Sequence, residues 1–321
     1  MPAELTTDVN RAAELLRAGG LVAFSTETVY GLGGNALNEQ AVARIFAAKQ
    51  RPWFDPLIVH LADAEDISTV VAEVPLQAKQ LISTFWPGPL TLVLPRNPVI
   101  PDLVTAGLPN VAVRVPDHPL ARELIRRSGV PIAAPSANPF GRISPTTAGH
   151  VLKYLASEID LILDGGPCRI GVESTVLQIE PGTSPLLLRP GGLTREAIEA
   201  EIGPIRFPQG HGIESEPQTA PGRLLKHYAP RKKLILLSEE VSFPRTSTTG
   251  VLSLLPVSHP EKFGHVEILS ASGDLSEATA RFFGALRQLD ECDAVQIIYA
   301  RRFPPYGLGT ALNDRLERAA R

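Results

Sequence analysis

Cationic side chains stand beside strand ends in this sequence of 321 residues. Lys49 and Arg51 end a helical pattern. Arg114 lies within an apolar strand pattern, and Arg189 closes another. Clustered lysine and arginine bind phosphate and carboxylate groups through charge-assisted hydrogen bonds. The four residues therefore predict a polyphosphate pocket, although the helix dipole alone would also account for Lys49 and Arg51.

Hydroxyl and amide side chains stand at the ends of neighbouring strand patterns. Residues 25–30 (STETVY) follow the apolar run LVAF, and Ser136 and Asn138 follow PIAA. Ser144 and Ser174 border a helical and a strand pattern. Because ligands of open α/β sheets bind beyond the strand ends, these groups could line the same pocket. Turns and helix caps are the alternative for each of them.

Familiar catalytic and cofactor motifs are absent from the sequence. It has no G-x-x-x-x-G-K-[ST] phosphate loop, no H-E-x-x-H zinc helix and no G-x-S-x-G nucleophile elbow. Cys168 and Cys292 are too few for a four-thiolate metal site. Residues 31–36 (GLGGNA) match the dinucleotide pattern, but six residues separate them from the preceding strand pattern, which disfavours that interpretation. His60, inside the apolar run LIVHL, is either a core histidine or a ligand-binding one.

The apolar periodicity predicts the elements that position these groups. Strand-like runs occur at 21–24, 57–61, 90–94, 111–115, 131–134, 160–164, 174–179 and 185–189. Helical patterns occur at 9–16, 39–50, 77–86, 118–128, 145–155 and 194–202. This irregular alternation favours a mixed α/β sheet over a purely parallel one.

The last third of the sequence predicts a linker and a second domain. We expect a catalytic domain at 1–205, a linker rich in proline and glycine at 206–232, and a small α/β domain at 233–321. The last range alternates four strand patterns with two helical ones, which is typical of a Rossmann-like fold.

The composition excludes several classes of protein. With 44% hydrophobic and 20% charged residues, the chain can bury a core and is not a disordered one. Residues 1–205 contain 16 Lys and Arg against 21 Asp and Glu, a net charge of −5, which argues against a domain that coats nucleic acid. No run of about 18 apolar residues predicts a membrane span, and the first residues lack the apolar segment of a secretory signal. We therefore expect a cytoplasmic protein.

Seven motifs in order give the sequence a specific resemblance. STETVYGLG, KQRP followed by PLIVH, WPGPLT, VAVRVP, PIAAPSAN, GVESTV and LLRPG resemble the YrdC-like family of threonylcarbamoyl-AMP synthases over residues 10–205. KHYAP (226–230) and the second domain resemble the longer, two-domain members. The resemblance implies a YrdC-like twisted open mixed sheet with flanking helices and a smaller C-terminal Rossmann-like domain. Ser25 stands where the family usually has proline, and Asp55 where asparagine is common.

The resemblance also implies a reaction. L-Threonine, bicarbonate and ATP would give threonylcarbamoyl-AMP and pyrophosphate, the activity of a nucleotidyltransferase, with Mg²⁺ carried in on ATP rather than held in a dedicated metal site. A downstream threonylcarbamoyl transferase would use the product to modify tRNA, so direct tRNA binding by this chain would be weak or absent. The substrate carbamate attacks the α-phosphorus, and no protein nucleophile is needed.

The family's functional positions carry over motif by motif. The catalytic set would be Lys49, Arg51, Ser136 and Asn138. The threonine site would contain Thr26, His60, Arg114, Ala134 and Ser174. ATP would contact the catalytic set together with Asn110, Ser144, Arg189, Gly222 and Tyr228. The linker around Lys226, His227 and Tyr228 would cover the site and open for substrates.

Two other functions compete with this interpretation. A concave face could hold RNA, although the charge of −5 disfavours binding to a phosphate backbone. A carbamoyl-transfer domain like those of hydrogenase maturation factors would share the fold, but the sequence lacks their zinc-finger cysteine pairs and acylphosphatase-like segment.

Overall fold

Two β-sheets organise the structure, a computed structural model that describes residues 3–208 and 227–321. The first sheet contains β1 (Glu4–Thr6), β2 (Val22–Phe24), β3 (Gly31–Asn35), β4 (Ile58–His60), β5 (Leu90–Pro95), β6 (Asn110–Arg114), β7 (Ile132–Ala133), β8 (Leu161–Leu163), β9 (Thr175–Gln178) and β10 (Leu186–Arg189). The second contains β11 (Lys233–Leu237), β12 (Thr249–Ser253), β13 (His265–Ile268) and β14 (Ile297–Arg301).

Helices connect and cover the strands. They are α1 (Val9–Arg17), α2 (Glu39–Lys49), α3 (Leu76–Phe85), α4 (Asp102–Thr105), α5 (Pro119–Ser128), α6 (Ala148–Leu155), α7 (Arg195–Ile202), α8 (Leu275–Glu291) and α9 (Leu308–Ala319). Side-chain caps at Asp8, Asn38, Thr194 and Asp274 accept hydrogen bonds from first-turn N–H groups and fix where four of these helices begin. Within 3–208 and 227–321, no helix is both long and apolar enough to cross a membrane.

The first sheet is mixed, as the sequence predicts. Its strand order is β1-β8-β2-β3-β7-β4-β6-β5-β9-β10, and it contains both parallel and antiparallel pairs. The parallel pair β4–β6 places His60 directly beside Arg114, each the last residue of its strand. Strand ends thus bring together candidates that are far apart in sequence.

The sequence patterns give no indication of β3, in which three of the five residues are glycine. It pairs with β2 and β7 in the interior of the sheet. A Cβ atom at Gly33 would lie 2.8 Å from Ile132 Cγ2 and 2.9 Å from Phe24 Cε1, so the glycine permits close packing of the strand against its surroundings. The GLGGNA match is therefore a buried strand and not a phosphate-binding loop.

The second sheet is wholly parallel, with the order β11-β14-β12-β13, which confirms the Rossmann-like prediction. Helices α8 and α9 pack on it, and Leu252, Phe282 and Leu312 share one apolar core. Val29 and Val172, from the first part of the chain, belong to the same core. The two sheets are consequently joined by apolar packing. The boundaries at 205 and 232 stay a prediction.

The Gly191→Ala substitution tests how closely the backbone must pack behind β9. A Cβ at Gly191 would lie 2.4 Å from backbone atoms of Glu173, Ser174 and Thr175, which cannot turn aside as a side chain would. We expect a loss of about 1–3 kcal/mol in the free energy of unfolding, measured in urea.

Gly284→Ala is the matched control for this substitution. Gly284 lies inside α8 with nothing within 4 Å of the added Cβ. The helical alanine should leave stability unchanged or raise it by up to about 1 kcal/mol. Equal effects of the two substitutions would contradict the packing argument.

Candidate active site

A cavity of about 50 Å³ lies at the strand ends in the middle of the first sheet. Its lining residues come from the segment between β2 and β3 and the start of β3, from the turn after α2, from β4, β6 and β10, from the segments after β7 and before β9, and from two residues beyond position 226. They are Thr26, Thr28, Val29, Gly31, Arg51, Ile58, His60, Arg114, Ala134, Pro135, Ser136, Glu173, Ser174, Arg189, His227 and Tyr228. The structure therefore collects most of the predicted threonine and nucleotide residues around one space.

Lys49 lies behind the cavity wall, at the last position of α2. Its side chain is buried, and Nζ donates to the carbonyl of Ser136 at 2.6 Å and to the carbonyl of Asn138. Burial lowers the pKa of Lys49 well below its ordinary value, and the nearby Arg51 lowers it further. Lys49 thus braces the loop that carries the predicted Ser-x-Asn pair.

Arg51 is held by the turn that follows α2. Its Nε donates to the Asp55 carbonyl at 2.9 Å, and Nη2 donates to the Pro56 carbonyl at 2.8 Å. Nη2 also lies 2.9 Å from Asp55 Oδ2, and both side chains are buried. Burial raises the pKa of Asp55, whereas the positive charges of Arg51, Arg189 and Lys49 lower it and offset part of this effect. Asp55, noted from the sequence only as a departure from the family, is the counter-charge of this cluster.

Thr26 organises the turn between β2 and β3. Its Oγ1 donates to the Val29 carbonyl at 2.6 Å and accepts from the backbone N–H groups of Thr28 and Val29, each at 3.2 Å. This local bonding is the turn that the sequence alternative anticipated. It coexists with the predicted role, because Thr26 and Ala134 both line the cavity.

His60 is a neutral, buried side chain at the end of β4. Its Nδ1 lies 3.1 Å from the Ile58 carbonyl, and its ring meets Phe24 edge-to-face with centroids 6.1 Å apart. Burial, followed by repulsion from Arg114, lowers the pKa of His60 to about 3. His60 thus combines the two interpretations of the sequence, since it packs in the core and also lines the cavity.

Arg114 is paired with a buried acid. Its Nη2 donates to Glu27 Oε1, Nη1 donates to Thr28 Oγ1 at 2.9 Å, and Nε donates to the Gly88 carbonyl at 3.2 Å. Both Arg114 and Glu27 are almost fully buried. The pair fixes the guanidinium at the cavity edge, beside His60.

Glu173 connects the first sheet to the end of the chain. Its Oε1 accepts from Ser144 Oγ at 2.5 Å, and its Oε2 accepts from Arg315 Nε at 2.8 Å. Arg315, on α9, is fully buried and also pairs with Asp314 at 2.5 Å. Ser144 and Arg315 therefore both contact a residue that lines the cavity, and Arg315 does so from the second unit.

Arg189 and Ser174 lie together at the ends of β10 and β9. Two nitrogens of Arg189 donate to the Ser174 carbonyl, at 3.2 Å and 2.9 Å. The Ser174 hydroxyl is 2.7 Å from Thr91 Oγ1. Both residues line the cavity, as the sequence predicts.

Tyr228 and His227 cover the cavity. Tyr228 has a φ of 63°, and its ring lies 5.2 Å from the Arg315 guanidinium carbon and 5.6 Å from the Phe283 ring centroid. His227 meets Phe140 edge-to-face at 5.8 Å. Among the described residues, the Tyr228 hydroxyl and His227 Nδ1 are buried with no hydrogen-bond partner. Left-handed backbone at a tyrosine is unfavourable, so this covering position is held by its packing.

Asn110 lies apart from the other candidates. It is the first residue of β6, whereas Arg114 is the last, and four strand residues span about 13 Å. Its Nδ2 lies 3.4 Å from Glu180 Oε1. The geometry therefore does not bring Asn110 to the cavity, and its role in ATP binding stays a prediction.

The Asn138 side chain faces away from the cavity. Its Nδ2 donates to the carbonyls of Pro139 and Arg142, each at 2.9 Å, and it lines a neighbouring space of about 270 Å³. Gly222 and Lys226 lie outside the described residues, so their roles stay predictions. Within the described ranges, no group of three or more His, Cys, Asp and Glu side chains could hold a metal ion.

The sequence patterns do not identify three charged residues that the structure places at or beside the cavity: Glu27, Glu173 and Arg315. The two acids stand among the hydroxyls of STETVY and GVESTV, which indicate no role for a carboxylate. Arg315 carried a usable signal, because it lies between Leu312 and Leu316 on the apolar face of α9. An arginine within such a stripe requires a buried anion or an exit to solvent.

Comparison with known proteins places the chain in a family. A model of the Sua5/YciO/YrdC family, described as "Telomere recombination", matches residues 14–191. A second model, described as "Threonylcarbamoyl-AMP synthase, C-terminal domain", matches residues 193–321. The chain belongs to the Sua5/YrdC family. The resemblance read from the seven motifs is thereby confirmed.

Sua5 proteins resemble the chain over its whole length. The threonylcarbamoyl-AMP synthase of Bacillus subtilis is 45% identical, covering 99% of this chain and 95% of the relative. A crystal structure of Pyrococcus abyssi Sua5 complexed with L-threonine is 41% identical, with a TM-score of 0.89, and covers 100% of this chain and 98% of that one. A P. abyssi Sua5 variant with a histidine and a tyrosine replaced by alanine has a TM-score of 0.87 at 38% identity, covering 99% and 96%.

The pKa of His60 makes the stability of this Sua5/YrdC protein depend on pH. Folded His60 takes up a proton only near pH 3, whereas the unfolded side chain does so near 6.5. The unfolded state therefore binds more protons below 6.5, and the free energy of unfolding falls as the pH drops from 6.5 to 3. His60→Gln should remove about 1.4 kcal/mol per pH unit from this slope, measured by urea unfolding between pH 4 and 6. The exposed His259 supplies the control His259→Gln, and an equal slope in both variants would refute the assignment.

Arg315→Ala should destabilise the fold by about 3–5 kcal/mol, because it leaves Glu173 buried without its cation. Urea unfolding measures this loss. Combining Arg315→Met with Glu173→Gln should be milder than Arg315→Ala, since no lone charge remains. Arg281→Ala, which removes an exposed ion pair of 3.5 Å on α8, is the control and should change stability by less than about 1 kcal/mol. If Arg315→Ala costs no more than this control, the buried pair is not a stabilising feature.

Proposed function

We propose that this chain is an L-threonylcarbamoyladenylate synthase. It would act as a nucleotidyltransferase, forming threonylcarbamoyl-AMP and pyrophosphate from L-threonine, bicarbonate and ATP. One observation carries the proposal: a single cavity at the strand ends is lined by hydroxyls, two histidines and three arginines. The whole-chain similarity to a Sua5 crystallised with L-threonine supports the same assignment.

The threonine carboxylate would bind Arg114. A guanidinium has five N–H donors, and three are used by Glu27, Thr28 and Gly88. Two therefore remain for a carboxylate at the cavity edge. The neighbouring cations favour a neutral substrate amine, which is the form that can attack carbon, and His60 adds no further charge. The amine would displace water from bicarbonate to form the carbamate.

The nucleotide would place its phosphates among Lys49, Arg51 and Arg189. A carbamate oxygen would attack the α-phosphorus, and pyrophosphate would leave. Positioning and charge neutralisation are the main demands of phosphoryl chemistry, and buried cations fixed by carbonyls and Asp55 meet both. Mg²⁺ would arrive as part of the MgATP substrate, because this ion commonly binds substrate phosphates and few protein groups.

The residues that cover the cavity would act as a gate. A space of about 50 Å³ is small beside a nucleotide, so His227 and Tyr228 would move aside when ATP enters. Closure afterwards would keep water from the acyl adenylate. This reactive product would then pass to a separate transferase that modifies tRNA. The acidic first domain would therefore not need to bind RNA.

Pyrophosphate release tests the assignment. It should require ATP, threonine and bicarbonate together, and release independent of either co-substrate would refute the proposal. Lys49→Ala and Arg51→Ala should each reduce the rate by about 10²-fold or more, because Arg51→Ala removes a cation that lines the cavity and Lys49→Ala removes the brace of the loop that carries Ser136 and Asn138. Lys79→Ala, on the exposed face of α3, is the matched control and should keep full activity. Circular dichroism would verify that each variant is folded.

A further inference from the structure

A second cavity, of about 470 Å³, lies in the C-terminal sheet and shares no lining residue with the candidate active site. We call it the C-terminal cavity. Phe243 and Arg245 reach it from the segment after β11, Ser253 from the end of β12, and Arg301 and Arg302 from the end of β14. Three parallel strands thus direct their carboxyl ends to one space.

The position of the C-terminal cavity in the fold is one that binds ligands. Strand β14 comes last in sequence but lies between β11 and β12, so these three parallel strands end side by side. Ile298 and Ala300 belong to the core that contains α8, so Arg301 points to the opposite face of the sheet. In open α/β sheets, ligands bind beyond the carboxyl ends of the parallel strands. A volume of 470 Å³ is also within the range of small-molecule sites, about 300–1,000 Å³.

The charges that line the C-terminal cavity favour the binding of an anion. Three arginines line it, with no Asp or Glu among the lining residues. Arg302 pairs with Glu317 at 2.9 Å. Arg301 donates through Nη2 to the Val241 carbonyl at 2.8 Å, while its Nε is buried without a hydrogen-bond partner among the described residues. A phosphate would satisfy this unused buried donor, since arginine binds phosphate in a bidentate manner.

Aromatic rings give the C-terminal cavity an apolar side. The guanidinium carbon of Arg301 lies 4.6 Å from the Phe243 ring centroid, and Phe263 meets Phe243 edge-to-face at 6.5 Å. Phenyl and guanidinium planes are surfaces on which nucleobases stack. Phosphate-binding cations next to a stacking surface are the combination that a nucleotide requires.

We propose that the C-terminal cavity binds a free nucleoside phosphate. Its phosphate would contact Arg245, Arg301 and Arg302, and its base would lie against Phe243. This site is additional to the nucleotide site of the proposed reaction and does not depend on that reaction.

Equilibrium dialysis of AMP against the full chain tests this proposal. Because the candidate active site also takes nucleotide, the wild type should bind about one equivalent of AMP more than the Arg245→Ala/Arg301→Gln variant. The Arg51→Ala variant should still bind one equivalent of AMP in the C-terminal cavity. The triple variant Arg51→Ala/Arg245→Ala/Arg301→Gln should lose this equivalent. In the Arg51→Ala background, Arg245→Ala/Arg301→Gln should weaken AMP binding at least about tenfold. Arg281→Ala, on α8 and outside the cavity, is the matched control and should bind as wild type.

Further arms separate the parts of the ligand. Adenosine should bind the Arg51→Ala chain much more weakly than AMP does. Phe243→Leu, which keeps the charges, should weaken the binding of AMP more than the binding of inorganic phosphate. Threonine-dependent pyrophosphate release should be unchanged in Arg245→Ala/Arg301→Gln, which also shows that this variant is folded.

Three results would overturn the proposal: AMP binding unaffected by Arg245→Ala/Arg301→Gln, adenosine binding as tightly as AMP, or a single-stranded RNA that displaces AMP and binds more tightly. Failure of pyrophosphate release in the wild type would instead count against the proposed reaction and leave the AMP result intact.

Discussion

Compensation of buried charge is the constraint on which the candidate active site depends. Arg51 is paired with Asp55, Arg114 with Glu27, and Arg315 with Glu173, and all six side chains are withdrawn from water. An uncompensated ion in such surroundings costs several kcal/mol. Each pair holds an arginine and an acid in fixed positions, and one member of each pair lines the cavity. The acids are therefore as much a part of the site as the cations that would meet phosphate and carboxylate.

The same pairs tie distant parts of the fold to one another. Arg114 ends β6 while Glu27 belongs to the turn after β2, and Glu173 receives Ser144 from one segment and Arg315 from α9. Tyr228 lies against the same guanidinium. Arg315 thus connects the C-terminal helices to residues that line the cavity. Val29 and Val172 add apolar contacts between the first part of the chain and the second core.

Local sequence patterns were sufficient to predict the fold class and to place the cationic residues at the ends of helices and strands. Alternating apolar runs mark β4, β6 and β9, and a helix that ends in Lys49 is visible from its periodicity. β3 could not be predicted, because its glycines have no side chains from which an apolar pattern could be recognised. The crowded interior of the sheet nevertheless requires residues this small. Partners could not be assigned either, since the pairing of Glu173 with Arg315 is decided by tertiary packing. Strand patterns also do not say which end of β6 faces the cavity, and Asn110 lies at the other end from Arg114.

The contact between Glu173 and Arg315 joins residues 142 positions apart. A ribosome delivers the ten strands of the first sheet well before it delivers α9, and domains fold as they emerge. During that interval Glu173 has no guanidinium beside it. A nascent chain therefore carries a formed sheet in which this buried acid is still unpaired. The ion pair that joins the first sheet to the C-terminal helices forms only after the last helix has been synthesised.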